Sequence, residues 1–189
     1  MDFDFLAQTM DKIKVHDKTF VPYLSYEDLQ RDIDAVAAKI NADYEGKGII
    51  PVVVTVLNGA MMFTAELFKR FNFDCEMMSV KVKSYAGTGS TGQVTMPMGL
   101  TGSVKGRSVI VVEDIVDTGN TIVFLKDLLS REGAAEVKIC TMLLKPDVYK
   151  KDVALDYVGR SIPPDFIVGF GLDYDELGRN YKDIYVLDK

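Results

Sequence analysis

Glu113, Asp114 and Asp117 place three carboxylates within five residues, directly after the apolar run VIVV at 109–112. A short β-branched run of this kind reads as a buried strand, which delivers the acids to its carboxyl end. There their mutual repulsion calls for water or for a cation. Thr118, Gly119, Asn120 and Thr121 follow, and then Ile122, Leu125, Leu128 and Leu129 recur at helical spacing up to Gly133. The start of such a helix offers unpaired N–H groups and the positive end of the helix dipole, a combination that favours phosphate. Acids suited to a ribose or Mg²⁺, beside amides and hydroxyls suited to phosphate, describe a sugar-phosphate site. The plainer alternative is a capped turn whose acids face solvent.

Other chemistries find little support. GTGSTG at 87–92 matches GxGxxG literally, but that fingerprint needs a following helix to hold the pyrophosphate, and Gln93 to Pro97 cannot start one. The segment reads better as a mobile lid, or as a plain surface loop. His16 is the single histidine, which removes HExxH and Cys₂His₂ zinc sites and most Ser-His-Asp triads. Any general base is therefore expected to be a carboxylate. Cys75 and Cys140 each lie in an apolar stretch, as buried free thiols of a reducing compartment would. Met61, Met62, Met77 and Met78 read as core filler.

Around these residues the chain alternates strands with helices. Ser25 and Asp28 form a capping-box pair ahead of Leu29, Ile33, Val36, Ala37 and Ile40, predicting a helix over about 26–41. The uncharged window 48–65 would pass for a membrane span on hydropathy alone. Its β-branched first half and its Pro51, Asn58 and Gly59 predict instead a strand at 49–57, a turn and a helix at about 60–70. Strands are predicted at 75–82, running on to Ser84 and Tyr85, and at 108–114, 137–144 and 166–172, with a helix over 118–132. Residues 86–107, with glycines at 87, 89, 92, 99, 102 and 106, predict a flexible loop leading into a two-stranded ribbon through Val94, Met96 and Met98. This order gives an α/β fold, an open, mainly parallel sheet with helices on both faces. Ligands of such sheets bind outside the carboxyl ends of the strands, which selects the loops 57–60, 84–93, 113–121 and 172–179.

Composition narrows the partners. At 189 residues, 48% of them hydrophobic, the chain can bury one sizeable core without disulfides or metal. Its 22 basic and 28 acidic residues give a net charge of −6, the wrong sign for coating nucleic acid or an anionic membrane. The opening MDFDFLAQTMDK carries acids where a secretion signal carries Lys or Arg, so a cytoplasmic location is expected.

VIVVEDIVDTGNT resembles the phosphoribosyl-diphosphate signature of type I phosphoribosyltransferases, and its Glu-Asp followed by Asp-Thr-Gly is similar to the hypoxanthine-guanine branch. LNGAMMF at 57–63, SYAGTGSTG at 84–92, LLKPDV at 143–148 and PDFIVGFGLDYDELGR at 164–179 match in the same order, so the resemblance spans about 20–189. It implies the type I phosphoribosyltransferase fold in one domain, 1–189. The core would be at about 25–150, with a hood from the N-terminal segment and about 150–189, and a lid beginning at Ser84 and Tyr85. The implied reaction is Mg²⁺-dependent transfer of the phosphoribosyl group from phosphoribosyl diphosphate to a 6-oxopurine base, with release of pyrophosphate. A homodimer or homotetramer is expected.

Residue by residue, the resemblance gives Glu113 and Asp114 to the ribose hydroxyls and an associated Mg²⁺, Thr118–Thr121 to the 5′-phosphate, and Asp117 to the base near purine N7. Leu57, Asn58 and Gly59 would form the pyrophosphate loop, with a non-proline cis peptide between the first two. Asn58 stands where the family commonly has Lys or Arg, and Asn120 where it often has Lys, so pyrophosphate binding would lean on Arg179 and Mg²⁺. Lys145 would donate to the 6-oxo group, Phe166 would stack on the ring and Ile167 would offer its backbone to the base edge. Asp173 would ligate a second Mg²⁺ or face the exocyclic edge. From the residues alone, Lys145 is a solvated strand-end charge and Phe166 a core aromatic. The rival readings are a xanthine- or guanine-preferring enzyme and a nucleotide-sensing regulator on the same fold. The net charge and the intact Asp117 speak against the regulator.

Overall fold

SVIVVEDIV at 108–116 forms the centre of the structure, a computed structural model that describes residues 11–84 and 94–189. Its pleat sends successive valines and isoleucines to opposite faces. Ile110 and Val112 pack with one buried cluster, Val109 and Val111 with another. Strand β3 (Val52–Leu57) splits in the same way, Val53 to the first cluster and Val52 and Val54 to the second. Helices α1 (Tyr26–Tyr44) and α2 (Met61–Phe68) cover the first face through Leu29, Ile33, Val36, Ile40, Phe63 and Leu67. Helix α3 (Asn120–Arg131) covers the other through Ile122, Leu125 and Leu129. Helices on both faces of a mainly parallel sheet are the expected architecture.

With β4 (Glu76–Ser84), β5 (Val94–Met98), β6 (Ser108–Val116), β7 (Glu136–Leu144) and β8 (Tyr157–Ser161), the main sheet runs in the order β5-β4-β3-β6-β7-β8. All neighbours are parallel except β5, which pairs antiparallel with β4 as the expected ribbon. The chain goes from β3 outward to β4, then returns to place β6 on the other side of β3. The strand order therefore reverses between β3 and β6, and a ligand-binding crevice opens at their carboxyl ends.

A second sheet joins both ends of the described chain, in the order β1-β2-β10-β9, all antiparallel. Its strands are β1 (Ile13–Val15), β2 (Lys18–Leu24), β9 (Ile167–Val168) and β10 (Ile184–Leu187). This corrects the strand expected at 166–172. Only Ile167–Val168 form a strand there, in the second sheet, while Gly169 and Leu172 turn back on each other in an isolated bridge. Gly169, Phe170 and Gly171 take φ of 104°, 49° and 99°, which ends any extended run. Within the segment expected as hood, Tyr157–Ser161 pairs with β7 at the edge of the main sheet.

The capping box forms as expected, with Asp28 N–H donating to Ser25 Oγ (3.1 Å), and the buried carboxylate of Asp183 accepts the next free helix amide, Tyr26 N–H, at 2.7 Å. Ile49 and Ile50 precede Pro51 and stay exposed, outside the strand expected to include them. Met61 and Met77 are also exposed, at 59% and 62%, and so are not core filler. The pairing of β5 along β4 begins only at Lys81, leaving Met77 beyond its cover. Cys75 and Cys140 are both free thiols, but only Cys140 is fully buried. The 48–65 window is strand, turn and helix, and no described helix is long and apolar enough to cross a membrane.

Candidate active site

The reversal point brings Gly59 and Asp114 together. A Cβ on Gly59 would stand 1.7 Å from Asp114 Oδ2, so the carboxylate rests against a position only glycine can occupy. The preceding Leu57–Asn58 bond is cis, as the resemblance implied. Gly171 closes the group from the other side. Its own Cβ would meet the Gly59 carbonyl at 2.0 Å. Arg179 donates to the Gly171 carbonyl at 2.8 Å and pairs with Asp173 at 2.8 Å and Glu176 at 3.0 Å.

Burial dominates the acids of β6. Glu113 is 8% exposed, its Oε2 has no hydrogen-bond partner, and desolvation followed by the neighbouring Asp114 charge holds its carboxyl well above the usual range. Asp114 is pushed up to about 6, chiefly by burial, against the pull of its bonds to the backbone N–H of Ile115 and of the Arg179 charge. Two adjacent carboxyls kept reluctant to ionise, one with an orphaned oxygen, fit a cation brought by a ligand. Asp173 is not gathered with them. Its Oδ1 faces Arg179, its Oδ2 accepts from Glu176 N–H at 2.8 Å, and among the described residues no three His, Cys, Asp or Glu side chains form a metal cluster.

Beyond Glu113 lies a cleft of about 200 Å³ lined by Ile115, Val116, Asp117, Thr118, Gly119, Asn120, Thr121 and Ile122. Gly119, at φ 78°, caps α3 without a side-chain hydrogen bond, so the first turn of the helix keeps free donors toward the cleft. Lys145 follows directly on the end of β7. The lysine is 8% exposed, and its Nζ donates to Asp117 Oδ2 at 3.2 Å. The parallel register carries Val116 beside Leu144, which fixes the next residue, Lys145, against Asp117.

The last wall comes from 166–179. Phe166 is 43% exposed and rests on Phe20 (centroids 6.0 Å) and on Tyr174 (5.7 Å, planes at 87°). It is not a core residue. Ile167 is buried beside it in β9.

The structure thus joins Gly59, Asp114 and Gly171 in one group, with Arg179 on the Gly171 carbonyl and Asp173 held apart on Arg179; Glu113 and 117–121 form a second with Lys145, and Phe166 with Ile167 a third. Ser84 ends β4, while Tyr85 and the rest of the expected lid to 93 lie outside the described residues. Sequence reasoning singled out neither Gly171, the second glycine of GFG, which turns at φ 99° directly after Phe170 at 49°, nor, within the selected 172–179 loop, Tyr174, an aromatic beside Asp173 with no periodicity to mark it.

Residues 23–175 match the phosphoribosyl transferase domain. The chain is 42% identical over 164 residues to the hypoxanthine-guanine phosphoribosyltransferase of Streptococcus thermophilus, covering 86% of this chain and 90% of that protein. The hypoxanthine phosphoribosyltransferase of Staphylococcus aureus superposes with a TM-score of 0.82 at 37% identity, covering 88% of this chain and 90% of that one. That of Trypanosoma cruzi gives 0.83 at 34% identity, covering 93% and 95%.

Proposed function

The chain belongs to the phosphoribosyltransferase domain family, and from that premise we propose that it salvages purines. It transfers the 5-phosphoribosyl group of phosphoribosyl diphosphate to N9 of hypoxanthine, and of guanine, and releases pyrophosphate. The observation that carries this reading is the buried Lys145 paired with Asp117 at the mouth of the 117–122 cleft. A 6-oxopurine presents an acceptor at O6 beside a titrating N7, which a fixed ammonium and a carboxylate match in order. Adenine offers a donor at that carbon and does not match.

In this reading the free amides at the start of α3, with Thr118 and Thr121, hold the 5′-phosphate. Glu113 and Asp114 hold the ribose hydroxyls. Leu57, Asn58 and Gly59 present backbone to the pyrophosphate, whose departing charge falls near Arg179. Breaking the C1–O bond leaves oxocarbenium character at the sugar, so the site must stabilise a cation and an anionic leaving group together. Asp117 takes or holds the N7 proton as N9 attacks, a role worth about 10² to 10⁴ in rate. Phe166 stacks on the base, Ile167 meets its edge through backbone, and Asp173 faces the exocyclic edge once Arg179 turns to the pyrophosphate.

Glu113 and Asp114 suit a divalent ion, for which we propose Mg²⁺, whose chemistry when bound is to neutralise the pyrophosphate oxygens. Asp173 fits less well as a second ligand, because both its oxygens are engaged. A cytoplasmic homodimer or homotetramer completes the proposal. The test is product formation from phosphoribosyl diphosphate with hypoxanthine, guanine, xanthine and adenine in turn. IMP and GMP are expected, no AMP, and little XMP. Dominant XMP would move the assignment to a xanthine-preferring enzyme, and no nucleotide with any base would overturn it.

A further inference from the structure

We infer that Tyr174 is a positioning residue for the base-binding half of the site, held in place by the turn between β1 and β2. The hydroxyl of Tyr174 donates to Asp17 Oδ1 at 2.9 Å, Lys18 Nζ lies 5.2 Å from the ring centroid, and the His16 ring meets it edge-on at 5.4 Å. Three successive residues of one two-residue turn and its flank therefore grip one phenol. His16 takes φ 51° at that turn, and its Nε2 lies 3.2 Å from the Asp175 carbonyl, beside the same tyrosine. The gripped ring stands nearly perpendicular to Phe166, with Phe20 behind both at 6.0 and 6.5 Å.

The turn that carries Tyr174 does not depend on its side chain. Tyr174 and Leu177 exchange two backbone hydrogen bonds (2.9 and 3.1 Å), and Asp173 caps Glu176 N–H at 2.8 Å. The phenol is thus free to act outward. A Phe166 ring with 43% exposure would otherwise lose side-chain freedom only when a base arrives, at the expense of affinity. Bracing it beforehand lowers that cost. The inference rests on Phe166 being the stacking face proposed above.

The experiment measures KM for hypoxanthine and for phosphoribosyl diphosphate, with kcat, in Tyr174→Leu, Phe166→Ala and the double variant. If an edge-on aromatic pair is worth its usual amount, Tyr174→Leu raises KM for hypoxanthine about three- to tenfold. KM for phosphoribosyl diphosphate and kcat stay within about twofold, and Tyr174→Phe, which keeps the ring but not its bond to Asp17, recovers only part of the loss. In the Phe166→Ala background, Tyr174→Leu should then add nothing. An equal effect in both backgrounds, or a rise in both KM values alike, would show an ordinary structural role and overturn the inference. If Phe166→Ala raises KM for hypoxanthine and Tyr174→Leu does not, the inference falls alone. If neither changes it, the stacking reading falls and takes the inference with it. Should Tyr174→Leu fail to fold, Asp17→Ala on the exposed turn decides, with a twofold or greater rise confined to hypoxanthine expected and an unchanged value overturning the inference.

Discussion

Lys145 and Asp117 form an ion pair of unequal burial, the ammonium almost enclosed and the carboxylate half open, with Nζ 3.2 Å from Oδ2. The lysine needs a fixed counter-charge because a buried ammonium is costly when unpaired. The carboxylate keeps one side free for a substrate. One acid thus serves as the partner of Lys145 and as the proposed base.

Asp117→Asn separates those duties from substrate binding. Asparagine keeps the shape but takes no proton at neutral pH. We expect kcat to fall by about 10² or more while calorimetric binding of phosphoribosyl diphosphate with Mg²⁺ stays within a few-fold. Near-normal turnover in a folded, saturated variant would return Asp117 to the role of a capping acid.

Gly59→Ala tests the reversal point. Its Cβ would overlap Asp114 Oδ2, and the backbone cannot retreat because the Gly59 carbonyl already faces Gly171. The expected cost is about 1–3 kcal/mol in thermal unfolding, as for other overpacked sites. Phosphoribosyl diphosphate binding should weaken at least tenfold as Asp114 is displaced. Binding within twofold of wild type would show that Asp114 need not rest where it does.

These two predictions differ in how far the sequence alone could carry them. The β-branched runs at 52–57 and 108–112 were readable because a buried strand is a local signal, but the acids expected to stop the second at 114 lie inside it, since pairing with β7 carries β6 on through Val116. The Lys145 pairing was not, since it depends on the β6–β7 register between residues 28 apart. The second sheet was unreadable for a similar reason. β9 has two residues, β2 contains Pro22, and β2 finds β10 only across most of the chain. The exposure of Met61 and Met77 depends on where neighbouring elements end, which composition does not encode.

Asp114→Asn should stabilise the unliganded protein in a pH-dependent way. The folded carboxyl titrates at about 6 against 3.8 for an ordinary aspartate, so the folded state holds its proton more tightly than the unfolded one. The penalty for ionising it is absent below pH 4, grows between 4 and 6, and is complete above 6. Removing the charge should therefore raise stability by up to about 3 kcal/mol at pH 7.5, from roughly 1.4 kcal/mol per unit, and by almost nothing near pH 4. Urea unfolding of both proteins at several pH values reads the difference. A constant offset would exclude Asp114 as its source.

Asp183→Ala should weaken the seam between the second sheet and α1. It removes the buried acceptor of Tyr26 N–H and leaves an orphaned helix amide, a loss of about 1–3 kcal/mol. Hydrogen exchange at the first turn of α1 should quicken, with exchange in β3 and β6 unchanged. Uniform acceleration across the main sheet would instead mark Asp183 as part of the global core.

The pairing of β2 with β10 has a consequence for how the molecule is made. A growing polypeptide emerges in order, and the last strand of the main sheet ends at Ser161, while β10 begins at Ile184. The ribosome therefore releases every residue proposed to hold the sugar and its phosphate before it releases the strand that completes the sheet carrying the proposed base-stacking face. The β1–β2 hairpin, made ahead of the main sheet, waits for a partner some 160 residues younger. The two halves of the site are born at different times, and the half expected to choose the purine is the one finished last.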